Sequence, residues 1–178
     1  MPIQVVPYDP NWPRLFESVR SDLTAILGSV PVIGIEHVGS TSVPGLAAKP
    51  IIDIDVIVAA DDIQPAIDAL TDAGYRHLGD LGIPDRHAMA APDGDPRRNV
   101  YVTLVDSLAL RNHIGVREVL RTDADLRRRY ADAKAMLAAE DDMDITRYTT
   151  AKTPVLIDIL AATGLTRDEI SAIAASNR

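Results

Sequence analysis

The segment Ile51-Ile52-Asp53-Ile54-Asp55-Val56-Ile57-Val58 limits the folds open to this chain more than any other. A nearly continuous apolar run of strand length suits a strand inside a sheet that is covered on both faces, which points to an α/β architecture. The run contains two acids, two residues apart. Alternate residues on a strand face the same way, so Asp53 and Asp55 are expected on one side, with Cα atoms about 6–7 Å apart. Ile52, Ile54 and Val56 turn to the other side. Just upstream, Val32 to Val38 reads as a second strand and runs into Gly39-Ser40-Thr41. A glycine here lets backbone approach a ligand closely, and a following helix start would favour an anion.

The flanking pattern alternates helix and strand. Ile3 to Val6 fits a short edge strand. A helix is expected after Asn11, with Asn11 as its cap, Pro13 in its first turn, Leu15, Val19, Leu23, Ile26 and Leu27 on its apolar face, and Gly28 as its stop. Trp12 and Phe16 read as staples of that helix to the core. A second helix is expected from Asp61 or Asp62 to about Ala73, stopped by Gly74, and then a short strand over Tyr75 to Leu78. His87 to Ala91 and Val100 to Val105 read as a hairpin around Pro92-Asp93-Gly94-Asp95-Pro96. From Asp106 onward the pattern is helical: Ser107 to Leu120, Thr122 or Asp123 to about Glu140, Ile145 to Ala162, and a last helix opened by a Thr166/Glu169 capping box. The expected organisation is a single unit over 1–178, with an α/β core over 1–105 and a helical part over 106–178 packed on it.

Composition narrows the partners. The chain has 178 residues, 47% of them hydrophobic and 25% charged, the balance of a soluble globular protein. A formal net charge of −8 argues against a broad duplex-binding surface, which needs clustered cations. There is no cysteine, so thiolate metal sites and disulfides are excluded. No apolar run is long enough to span a bilayer and no signal segment is evident, so a cytoplasmic location without membrane attachment is the default. The arginines that crowd the later half read mostly as solvated helix faces.

Two hard oxygen donors on a rigid strand suit Mg²⁺ or Mn²⁺, with substrate phosphates and water completing the shell. Asp53 and Asp55 are therefore the candidate metal ligands and catalytic carboxylates. Gly39, Ser40 and Thr41 are candidates for phosphate. His37 reads as a packed structural residue, and His77, His87 and His113 form no metal spacing on any one element. Neither a P-loop, a nucleophile elbow nor a dinucleotide fingerprint is present.

The chain resembles the GrpB family, itself similar to the nucleotidyltransferase superfamily typified by DNA polymerase beta. Val38-Gly39-Ser40 with Asp53-Ile54-Asp55 matches the superfamily pattern. Tyr8-Asp9-Pro10-Asn11-Trp12-Pro13, the run Glu36 to Ile54, Gly74-Tyr75, Gly82-Ile83-Pro84 with Arg86, Arg117 to Arg121, and Tyr148-Thr149 with Ala151-Lys152 match the family. The resemblance implies a nucleotidyltransferase-like mixed sheet flanked by helices, of α/β (α+β) class. It also implies a nucleoside triphosphate or related small phosphorylated ligand, held through magnesium. It places Gly39, Ser40 and Thr41 on phosphate, Asp53 and Asp55 on metal, and makes Lys49, Arg86, Arg117, Tyr148 and Lys152 further phosphate candidates. Many family members lack the second acid of the pair. Active superfamily members carry a third carboxylate on a later strand. Here Asn99-Val100-Tyr101-Val102-Thr103-Leu104-Val105 has none, and Asn99 and Tyr101 stand where the family commonly has histidines. Asp55, Asp106 and bound water remain as proton acceptors. The implied function is nucleotidyl transfer to an acceptor. The alternative is a catalytically inactive module that binds a nucleotide or a coenzyme-A-like ligand, a class suggested by family members fused to dephospho-coenzyme A kinase. A purely structural or partner-binding protein is a third possibility.

Overall fold

The computed structural model describes residues 5–138 and 153–176. Helix α1 (Trp12–Leu27) leads into strand β1 (Gly34–Val38), a single 3₁₀ turn (Ser40–Ser42) and strand β2 (Ile52–Val58). Helix α2 (Ile63–Asp72), strand β3 (Arg76–His77), strand β4 (Arg86–Ala90) and strand β5 (Arg98–Leu104) follow. Helices α3 (Leu108–Thr122), α4 (Ala124–Ala138), α5 (Thr153–Ala161) and α6 (Arg167–Ser176) complete the described chain. The sheet order is β1-β2-β5-β4-β3. β2 runs parallel to β5 and antiparallel to β1, so the acid-bearing strand lies inside a mixed sheet. The fold is mixed α/β, with helices on both faces of a five-stranded sheet. No described helix is long and apolar enough to cross a membrane.

Strand alternation sorts the two faces. Ile52, Ile54, Val56 and Val58 of β2 join Val100 and Val102 of β5 under α1 and α2. From α1, Trp12, Phe16, Val19, Leu23 and Leu27 reach this core at three- and four-residue intervals, as one face of a helix must. Trp12 and Phe16 are core staples, as expected. Asn11 departs from its expected role. Its side chain makes no cap bond. Instead its backbone N–H and its Nδ2 both donate to Asp9 Oδ1, at 2.8 and 3.0 Å. Gly28 closes α1 with φ 53° and its N–H on the Thr24 carbonyl. Residues 3 and 4 of the expected edge strand lie outside the described residues, and Val6 forms an isolated antiparallel bridge with Ala48.

The helical part forms its own apolar contacts. Val43 and Leu46, in the loop after the 3₁₀ turn, pack with Leu120, Tyr130, Val155 and Ile159 of α3, α4 and α5. Ser107 caps α3 by accepting the Leu110 N–H. The Thr166/Glu169 box opens α6: Thr166 N–H donates to Glu169 Oε2 at 2.8 Å and Glu169 N–H to Thr166 Oγ1 at 3.3 Å. The part of the expected third helix that precedes Thr153 lies outside the described residues. α3 follows directly on β5 and doubles back over the second sheet face, where it meets the acids.

Candidate functional site

That second face is polar. Register aligns Asp53 with Asn99, Asp55 with Tyr101 and with Glu36, and Thr103 with Arg86. Asp53 and Asp55 share this face as the strand spacing requires, but their surroundings differ. Asp53 is partly exposed and its Oδ1 accepts from Asn99 Nδ2 at 2.7 Å. Its other oxygen rests against the bend. A Cβ on Gly39 would collide with Asp53 Oδ2 and lie 2.9 Å from its Cγ. Gly39 has φ 69°, a left-handed conformation that glycine adopts without strain. Bend and first acid are therefore in direct apposition.

Asp55 is 0% exposed. Thr103 Oγ1 donates to its Oδ1 at 2.9 Å, and His113 Nδ1 lies 2.7 Å from its Oδ2. Asp55 is thus engaged by two protein groups, whereas Asp53 is partly exposed. α3 covers position 55, and both of its oxygens serve protein donors. Among the described residues no group of three or more His, Asp or Glu side chains is placed to hold a metal. Carboxylate oxygens of this kind suit a cation that arrives on phosphate and takes few ligands from the protein.

The bend is locked from several sides. Thr41 is buried, its hydroxyl donating to the Ile51 carbonyl at 3.0 Å and pairing with His37 Nε2 at 3.0 Å. That hydroxyl ties the bend to the start of β2. Ser42 Oγ closes the turn on the Gly39 carbonyl at 2.6 Å. Ser40, at the start of the 3₁₀ turn, is half-buried. Two arginines of α3 hold the ends of the bend. Arg117 Nη1 donates to the His37 carbonyl at 2.9 Å and to Glu36 Oε2 at 2.7 Å. Arg121 donates twice to the Ser42 carbonyl, at 2.8 and 3.1 Å. His37, stacked on Phe16 at 4.8 Å, has its pKa lowered to about 4 by burial and then by Arg121 and Arg117.

Arg86 lies 8% exposed with its guanidinium 4.4 Å from the Tyr101 ring centre, and its Nε has no hydrogen-bond partner. Burial, then the charge of Asp53, pushes the Tyr101 hydroxyl up to about 12; Arg86 opposes the shift and Asp55 adds to it. Lys49 is half-buried in the loop before β2. Tyr148 and Lys152 lie outside the described residues. Asp106 is exposed just beyond β5, with φ 59°.

Sequence reasoning passed over His113 and Arg121. Both carry a signal: His113, Arg117 and Arg121 recur at four-residue intervals and so form one polar stripe along α3. The structure turns that stripe toward Asp55, the Glu36–His37 end of β1 and the bend.

Known proteins match most of the chain. It is 35% identical over 163 residues to UPF0157 protein SCO7215 of Streptomyces coelicolor, covering 90% of this chain and 83% of that one. It is 30% identical to a protein named dephospho-CoA kinase in Mycolicibacterium paratuberculosis, where it matches 44% of the length. The crystal structure of GrpB from Enterococcus faecalis superposes with a TM-score of 0.76 at 28% identity, covering 89% of this chain and 98% of that one. At lower similarity the chain aligns with Cid1 poly(U) polymerase, with a TM-score of 0.46 at 14% identity, covering 74% of this chain and 45% of that one. The family model described as GrpB protein matches residues 2–162, and the chain belongs to the GrpB family.

Proposed function

We propose that this protein binds a nucleoside triphosphate, or a related small phosphorylated ligand, at the bend and Asp53, and transfers its nucleotidyl group to a hydroxyl acceptor. The observation that carries the reading is the apposition of Asp53 with Gly39. One magnesium-bound polyphosphate at this point would meet both the acid and the turn. Mg²⁺ or Mn²⁺, when bound, would supply charge neutralisation at the phosphates through Asp53. The chain's own groups supply the rest. Gly39 and Ser40 offer close backbone approach, and Arg117 and Arg121 set positive potential beside the bend while fixing its shape. Lys49 and Arg86 are further phosphate partners. Such an array acts mainly by positioning and by electrostatics arranged before the reaction.

A second reading is favoured by the closed environment of Asp55 and the lack of a carboxylate on β5. Here the same site binds a nucleotide or a coenzyme-A-like ligand without chemistry. The relative named dephospho-CoA kinase supports that ligand class. Calorimetry with the four ribonucleoside triphosphates and coenzyme A, in Mg²⁺ and in EDTA, separates the readings when paired with a pyrophosphate-release assay. The assay would offer an oligoribonucleotide and a Ser/Tyr-containing peptide as acceptors. Mg²⁺-dependent binding with pyrophosphate release is expected. Binding without release would select the second reading, and no binding at all would discard both.

A further inference from the structure

At the far edge of the sheet, β3 and β4 bring two histidines together. The strands run antiparallel with His77 opposite Met89. Opposed residues share a face, and so do residues two apart on one strand. His77, Met89 and His87 therefore lie on one face, with the histidines as diagonal neighbours. His77 Nε2 stands 3.2 Å from His87 Nδ1, and the ring centres are 5.3 Å apart. His77 is exposed and His87 half-buried, so solvent reaches the pair. Of two imidazole nitrogens in such contact one donates and the other accepts, yet the same two nitrogens can hold a cation instead. Nitrogens at about 2.0–2.1 Å from a tetrahedral Zn²⁺ stand about 3.3–3.4 Å from each other. A small pivot of the two rings reaches that spacing. No net proton is lost, because each neutral ring then carries its hydrogen on the nitrogen turned away from the cation.

We propose that His77 and His87 form a site for a late first-row divalent cation of the Zn²⁺ class, and that the bound cation ties β3 to β4. Imidazole nitrogen suits such cations, whereas Mg²⁺ takes oxygen. Among the described residues no group of three or more His, Asp or Glu side chains is placed to hold a metal, so water or a donor from a bound molecule completes the shell. The tie falls where the sheet is weakest. β3 is 2 residues long, lies at the edge of the sheet, and pairs with β4 at Arg76–Ala90 and His77–Met89. Past it, Leu78 N–H donates to the Ala88 carbonyl and Ala88 N–H to the Gly79 carbonyl, each at 2.9 Å. A cation between positions 77 and 87 bridges the strands beside these bonds. The site shares no residue with Asp53 and the bend and does not rest on the nucleotide reading.

Zinc chloride titrated into the full chain at neutral pH, without nucleotide, tests the site by calorimetry and by amide hydrogen exchange. The parent should bind saturably and release the cation to EDTA. Exchange at the Leu78 and Ala88 amides should slow with Zn²⁺ and not with Mg²⁺, which locates the cation at this edge. His77→Ala and His87→Ala each remove one of the two protein ligands. Loss of a partner outside the ligand shell already costs about 10–100-fold in metal affinity, so each variant should lose at least that much. His77 is exposed, and the metal-free His77→Ala protein should melt as the parent does. A parent that does not bind Zn²⁺, an affinity unchanged in either variant, or unchanged exchange at Leu78 and Ala88 in the Zn²⁺-loaded parent overturns the proposal.

Discussion

The two faces of the sheet use the same strands for different ends. Toward α1 and α2, β2 presents Ile52, Ile54, Val56 and Val58, which pack with Leu23, Leu70, Val100 and Val102 in an apolar core. Toward α3 it presents Asp53 and Asp55, beside Asn99, Tyr101 and Thr103. Burial on the first face stabilises through apolar area and needs no particular partner. On the second face each buried polar group needs a named donor or acceptor, and those partners come from elements far apart in the chain. Alternation along one strand thus separates the part that holds the fold from the part that carries the proposed site. Within the polar face, a step of two residues separates a partly exposed acid from an acid closed by α3.

The sharpest break in the contrast comes from the apolar side. Ile54→Ala is expected to cost about 2–5 kcal/mol, the range for large-to-alanine changes in a core, read as a lower urea midpoint. A loss under about 1 kcal/mol would mean that this face is not the stabilising one.

The next effect is a pH dependence at the one buried histidine on the apolar face. His37 has a folded pKa of about 4 against an ordinary 6.5, lowered by burial and then by Arg121 and Arg117. Between those values the unfolded chain takes up a proton that the fold refuses. The contribution is therefore present above about pH 6.5 and is lost as pH falls toward 4, by on the order of 2–3 kcal/mol. Urea midpoints at pH 7 and pH 4.5 should diverge more in the parent than in His37→Gln. Equal divergence would contradict the assignment.

Gly39→Ala sharpens the contrast from the other side. The left-handed φ costs an L-residue about 1–2 kcal/mol, and the new methyl would drive Asp53 from its place. The change should lower the melting temperature modestly and abolish the response to Mg²⁺ and nucleotide. A variant that keeps the full ligand response would separate the bend from the site.

The sequence shows much of this plan and misses a definite part. Period-two alternation identified β2 and the shared face of Asp53 and Asp55, and the α1 stripe, the Gly28 stop and the Thr166/Glu169 box were all legible because their causes are local. The hidden part lies in long-range covering. Asp53 and Asp55 are equivalent by spacing, and nothing within either neighbourhood says that His113, 58 residues away, closes one and not the other. Nothing beside Thr41 in the sequence announces that its hydroxyl engages the Ile51 carbonyl and His37. The regular spacing of His113, Arg117 and Arg121 was the available clue that α3 carries polar groups on the face it turns to the sheet.

The smallest expected change in the ligand-free protein gives the most direct test of the central claim. Asp53→Asn keeps the size and the hydrogen-bonding capacity of a partly exposed side chain, so its intrinsic stability should stay within about 1 kcal/mol of the parent. Melting temperatures of parent and variant are then compared across ATP, CTP, GTP and UTP, each with Mg²⁺ and with EDTA. A ligand that binds the native state must stabilise it, by about 2.7 kcal/mol at one hundred times its Kd. The parent should gain stability with at least one nucleotide in Mg²⁺ and not in EDTA, and Asp53→Asn should gain none. An equal gain in the variant, or no gain in the parent with any nucleotide, would contradict a magnesium-bound polyphosphate at Asp53 and the bend.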